Sequence, residues 1–245
     1  MIISHVTILT VFGLLFGSFL NVLILRIPKN ESIIFPSSHC VNCGTPLRWY
    51  HNVPLISWIF LGGKCAYCKK NISFQYPLIE LITAILFFIC ALKESNIYFA
   101  LVQGIIFALL LALSVIDLRY KAVPDSLSLP TLILALVGIE ILSKLQYALL
   151  FAGGFALLRI FITAVIKREA MGEADIIIAA VIGAMLGIPL GFVAIYLSAL
   201  FALPAFFIVA KRGFELPFIP FLAAGLFVTY LFNDQISALL KYIYG

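Results

Sequence analysis

The chain has 245 residues, of which 64% are hydrophobic and 11% charged, with a mean hydropathy of +1.16 and a net charge of +5. Soluble domains carry about 25% charged residues, so too little polar side chain is present to cover a globular surface. The composition excludes an ordinary water-soluble protein and makes lipid the solvent for most of the chain.

Eight apolar segments follow one another, at about 3–25, 77–92, 97–116, 127–143, 147–166, 175–188, 189–210 and 217–233. Each is judged against the roughly 20 residues a helix needs to cross a bilayer. The expected fold is an all-α polytopic membrane protein of about eight transmembrane helices with a small cytoplasmic zinc-binding loop. Three regions follow: a first transmembrane helix (1–27), the loop (28–76) and a membrane helical core (77–245). The first segment has no basic residue before it, runs past 20 residues and shows no small-residue cleavage site, so it reads as a span and not a signal peptide.

The loop carries Cys40-x-x-Cys43, then 21 residues, then Cys65-x-x-Cys68. Two such pairs have the spacing of a four-thiolate zinc site. Each turn presents two sulfurs, and two turns complete a tetrahedron with bonds of about 2.3 Å. Gly44 and the Gly62-Gly63 pair supply backbone freedom for such turns. A closed shell of four thiolates leaves no open position, so the zinc is expected to be structural. Redox pairs or unpaired thiols are the alternatives, and a reducing cytoplasm argues against stable disulfides. His39 and His51 lie nearby, but four cysteines suffice.

In the second segment, Glu80 is an acid inside a span and hence a candidate to bind a substrate amine or cofactor; snorkelling to the interface is the competing reading. Cys90 in the same segment reads as a small apolar core residue. Asp117 directly follows the third segment, where it either pairs with Arg119 or Lys121 or does chemistry. Asp125, after Pro124, has the look of a helix N-cap. Arg159, Asn21 and Arg26 are weaker candidates for substrate or helix–helix contacts. Asp175 opens the sixth segment as an N-cap, a carboxylate favoured by a helix N-terminus, or a catalytic acid. Ala170, Gly172 and Ala174 beside it allow close backbone approach. Segments six and seven form one run broken at residues 187–191, where Gly and Pro permit a tight turn. The sixth is short enough to be a partial crossing.

Basic residues fix the orientation. With the N-terminus outside, the inner loops hold Arg26, Lys29, Arg48, Lys64, Lys69, Lys70, Arg119, Lys121, Lys167, Arg168, Lys211 and Arg212, whereas the outer side holds Lys93, Lys144 and Lys241. Lys and Arg are retained on the cytoplasmic side, so twelve against three puts the cysteine loop, Asp117 and Asp175 there. The same asymmetry accounts for the net charge, so no nucleic-acid partner is needed. Two carboxylates at one depth, if brought together, share a proton and can activate water against an amide.

The whole chain resembles the type IV prepilin peptidases, bifunctional leader peptidases and N-methyltransferases of bacterial pilus and type II secretion systems. The resemblance rests on "GSFLNVLILRIP" at 17–28, "SHCVNCGTPLRWYHNVPLISW" and "GKCAYCKKNISFQYPLIELITA" in and after the loop, "IDLRYKAVPD", "MGEAD", and "LPFIPFLAAG" at 216–225. It implies that Asp117 and Asp175 are the catalytic aspartates. The implied substrate is a prepilin or pseudopilin with a short basic leader, cut after a Gly and before an apolar helix. The new N-terminus is then methylated from S-adenosylmethionine, with Glu80 a candidate in that step, and the setting is the bacterial cytoplasmic membrane. The second motif of the family is Gly-x-Gly-Asp; here Gly172 keeps the first Gly and Ala174 replaces the second, which would alter cleavage if that position needs φ > 0. No Gly-rich nucleotide loop on a βαβ unit is present to hold the methyl donor. The competing functions are a peptidase that has lost methyl transfer and a non-enzymatic membrane scaffold or transporter.

Overall fold

The computed structural model describes residues 2–167, 171–209 and 216–244. Its regular elements are helical: α1 (Ile2–Arg26), α2 (Ile56–Phe60), α3 (Gln75–Lys93), α4 (Ile97–Tyr120), α5 (Asp125–Leu136), α6 (Ile141–Ile166), α7 (Glu173–Val209), α8 (Ile219–Leu231) and α9 (Asn233–Tyr244). Five of them are long and apolar enough to cross a membrane, and a sixth crossing is added if α8 and α9, bent by 80°, count as one span. Arg168, Ala170, Lys211 and Arg212 lie outside the described residues.

The eight apolar segments thus correspond to fewer long helices. The fourth segment, 127–143, is not one helix. α5 stops at Leu136 and α6 starts at Ile141, because Gly138 takes φ 147, a region that favours glycine. Lys144 seals the break by donating Nζ–H to Ala135 O (3.2 Å) and Val137 O (2.7 Å), two carbonyls left open at the end of α5. Asp125 does not cap α5. Pro124 holds the cap position, no side chain bonds there, and Asp125 is the first helical residue, where its charge suits the helix dipole.

Segments six and seven share α7, which is broken at Gly187 (φ 71, ψ −167). A methyl placed on either Gly183 or Gly191 would strike the ring of Phe151. Eight residues of continuous helix would separate these glycines by about 12 Å, more than one phenyl ring bridges. The chain therefore turns sharply at Gly187, as the Gly-Ile-Pro-Leu-Gly run anticipates.

The chain divides into two compact units, residues 1–108 and 109–245, with the boundary inside α4. In the first, α1 and α3 meet through glycine. A Cβ on Gly13 would sit 2.9 Å from Ala84 Cα, and one on Gly17 would sit 2.7 Å from Glu80 Cα. Gly13 and Gly17 are four apart on one helix face, the small-x-x-x-small spacing that lets membrane helices approach closely. Phe87 fills the adjacent space, fully buried, with the rings of Phe12 and Phe16 at 5.4 and 6.1 Å. In the second unit, α7 packs on α6 and α8, and Gly225 lies against Ala194 and Ser198. Ile116, Ile178, Ile182, Leu222 and Leu226 form its buried centre.

Candidate active site and metal centre

The cysteine loop in the first unit is built from two copies of one turn. In the first, Cys40 N–H donates to Thr45 O and Gly44 N–H to Cys40 O, and Gly44 takes φ 68. In the second, Cys65 N–H donates to Lys70 O and Lys69 N–H to Cys65 O, and Lys69 takes φ 60. An isolated bridge closes each, His39 with Pro46 and Lys64 with Asn71. Gly44 thus does what the sequence suggests; Lys69 occupies the equivalent left-handed position without being glycine. Gly62 and Gly63 also take positive φ, and Gly63 lets Trp58 pack against the backbone.

The ligand atoms of Cys40, Cys43, Cys65 and Cys68 all lie within 4.8 Å of one another, so the group could hold a metal ion. Cys40 Sγ and Cys68 Sγ are 3.8 Å apart, which is the edge, about 3.8 Å, of a tetrahedron with 2.3 Å metal–sulfur bonds. Hydrogen bonding to Thr45, through its side chain first and its backbone second, brings the Cys43 thiol down to about 6. Neither histidine belongs to this four-sulfur group, and the buried Nδ1 of His51 has no hydrogen-bond partner among the described residues. His39 Nδ1 lies 2.9 Å from Ser37 O, and His51 is set edge-on to the rings of Tyr50 and Tyr67.

Glu80 is 6% exposed, and its Oε2 accepts the backbone N–H of Leu55 at 2.8 Å. Leu55 sits at φ 59, so a buried acid in α3 holds a left-handed residue of the loop. Asn21 is buried and fastens α1 to the start of α3: its Nδ2 donates to Gly17 O and Tyr76 O, and its Oδ1 accepts from Gln75. Arg26 donates to Ser32 O and Pro36 O, organising the beginning of the loop. Cys90 is fully buried.

Asp117 and Asp175 both belong to the second unit and are each 7% exposed. They lie near enough for their charges to interact. Asp117 lies in the last turn of α4, and its Oδ2 accepts from the N–H of Ile219, the first residue of α8, at 3.3 Å. Asp175 is the third residue of α7, and its Oδ2 accepts from Gly172 N–H at 3.1 Å. This is the reach-back bond of a capping box. Each carboxylate therefore rests on the N-terminus of a helix, where backbone N–H groups and the helix dipole favour negative charge. Gly172 precedes α7. Ala174 lies within its first turn, and the backbone at both positions is free of positive φ. Ala174 has no left-handed conformation to strain against in this structure.

Arg159 pairs with Glu173 at 3.2 Å. It lines a cavity of 470 Å³ with Ala156, Ile160, Thr163, Ala164 and Ile176. The sequence reading missed two anchors, the Ile219 N–H under Asp117 and the Leu55 N–H under Glu80. The first had a visible signal: Pro220 at the second helical position marks a helix start. The second had none, since nothing local distinguishes Leu55.

Residues 11–94 match the Bacterial Peptidase A24 N-terminal domain, and residues 104–227 match the Type IV leader peptidase family. A prepilin leader peptidase/N-methyltransferase of Myxococcus xanthus (strain DK1622) is 38% identical over 187 residues, covering 73% of this chain and 55% of the relative. One from Neisseria gonorrhoeae is 34% identical over 266 residues, covering 94% of this chain and 92% of the relative. One from Bacillus subtilis (strain 168) is 34% identical over 239 residues, covering 94% and 95%. No solved structure matches the chain.

Proposed function

The chain belongs to the Type IV leader peptidase family, and from that premise we propose that it removes the short basic leader of a prepilin or pseudopilin and then N-methylates the new N-terminus. The observation that carries the peptidase half is the pair of buried carboxylates, Asp117 and Asp175, within electrostatic reach and each tied to a helix N-terminus through one oxygen. One aspartate takes a proton from water as the oxygen attacks the scissile carbonyl. The other gives its proton to the departing nitrogen, so the pair ends with one shared proton, as it began. The fixed Oδ2 atoms leave the Oδ1 atoms for water and substrate.

In this reading the enzyme lies in the bacterial cytoplasmic membrane, with its N-terminus outside and the cysteine loop and aspartates facing the cytoplasm, where the basic leader is found. The four cysteines hold zinc. Their thiolate donor set and tetrahedral spacing fit that ion, whose role is to staple a loop too small to build its own core.

The methyl donor is S-adenosylmethionine. Glu80, buried and bonded through Oε2 to Leu55 N–H, is the candidate to bind the substrate amine or cofactor while it also holds the loop.

Purified protein incubated with a synthetic prepilin, with and without S-adenosylmethionine, tests the reading. Asp117→Asn and Asp175→Asn should each slow leader removal by about 10²–10⁴-fold, the usual worth of acid–base catalysis, while methylation of a pre-cleaved substrate persists. Cleavage at the wild-type rate by either variant ends the dyad assignment. Absence of an added methyl on the mature N-terminus in vivo would leave a peptidase alone.

A further inference from the structure

Helix α2 is five residues long, yet Ile56, Ile59 and Phe60 are 54%, 67% and 86% exposed. They stand at i, i+3 and i+4, so they share one helix face. Trp58 turns the other way, onto Gly63 and the ring of Phe74. Such an apolar face has no place in water, and its depth in the molecule says what covers it.

α3 has 19 residues, about 28 Å of helix, so its full length is needed to cross a core of about 30 Å. Gln75 therefore stands at the membrane boundary, and Glu80 lies about 7 Å inside it. Side chains of a helix lean toward its N-terminus, which carries the Glu80 carboxylate back toward that boundary. Leu55, the residue immediately before α2, is bonded to this carboxylate at 2.8 Å. The start of α2 is thus pinned at the edge of the hydrocarbon. The polar surround has matching charge: the loop carries Lys29, Arg48, Lys64, Lys69 and Lys70 against Glu31 alone.

We propose that α2 is a membrane-surface anchor, inserting Ile56, Ile59 and Phe60 into the leaflet that borders the cysteine loop while the loop's lysines and arginine meet anionic headgroups. The anchor holds the metal-binding turns at a set height over the bilayer, and it stands whether or not the chain processes prepilins.

The full-length protein, with Phe60 replaced by the photoreactive p-benzoylphenylalanine, is reconstituted into vesicles containing about one-third anionic phospholipid and irradiated. Intact-mass analysis should show phospholipid adducts, with a yield that falls several-fold in vesicles of zwitterionic lipid only. In the same vesicles, Ile59→Asp with Phe60→Asp should raise the rate of tryptic cleavage in the loop at least five-fold, with the detergent-solubilised melting temperature unchanged. Crosslinked dimers in place of lipid adducts would mean a second copy covers the face and would overturn the proposal. So would irradiation that yields no adduct, or tryptic rates equal to those of the parent. A yield indifferent to headgroup charge would overturn the electrostatic part.

Discussion

Two small residues decide what the sites can tolerate. Gly17 has no room for a Cβ because the backbone of Glu80 is there. Gly17→Val therefore pushes α1 off α3, at a cost of about 1–3 kcal/mol for overpacking. It should lower the melting temperature in detergent and loosen the Leu55–Glu80 bond, read as faster proteolysis of the loop. Ala174 makes the opposite case. Its residue type departs from the family motif, but its backbone is helical, with no need for glycine. Ala174→Gly should change the rate of leader removal by less than about three-fold and cost at most about 1 kcal/mol of helix propensity. A large gain in rate would mean that the missing hydrogen matters to substrate approach and not to backbone conformation.

Among the elements, α7 depends most on a single dihedral. Gly187 at φ 71, ψ −167 occupies a region open essentially to glycine alone, where other residues lose about 1–3 kcal/mol. Gly187→Ala should destabilise the second unit by that amount, measured by thermal unfolding in detergent, because Gly183 and Gly191 must both remain on Phe151. The metal-binding turns are unequal in the same sense. Gly44→Val forces a branched residue to φ 68 and should speed zinc transfer to a chelator. Lys69→Gly relieves a left-handed lysine, for which the cost is roughly 1–2 kcal/mol, and should leave zinc retention equal or better. At the end of α5, Lys144→Met removes the donor to Ala135 O and Val137 O and should cost about 1–3 kcal/mol for carbonyls left unpaired.

At the scale of the whole molecule, hydropathy and basic-residue asymmetry lead to one further expectation. Single cysteines introduced at Lys29 and Lys93, in a chain whose native thiols are otherwise blocked, should label from opposite sides of sealed vesicles; labelling from the same side would contradict the assigned orientation. The sequence by itself determined the helical membrane class, because lipid demands long apolar runs whose backbone bonds close within the helix. It also determined the two cysteine pairs, because thiols at two-residue spacing converge through local turn geometry, and the doubled spacing pointed to one four-cysteine cluster, although the meeting of the two pairs is itself a tertiary contact. Nearness in sequence likewise exposed the break at Gly187 and the acids at the helix ends. Only the tertiary structure decided that the segment at 127–143 splits at Gly138, that Asp117 rests on an N–H 102 residues away, that Asp175 lies within range of its charge, and that Glu80 accepts from Leu55 N–H. These are pairings between distant parts of the chain, fixed by packing and by the need to satisfy buried polar groups, and no local pattern of residues encodes them.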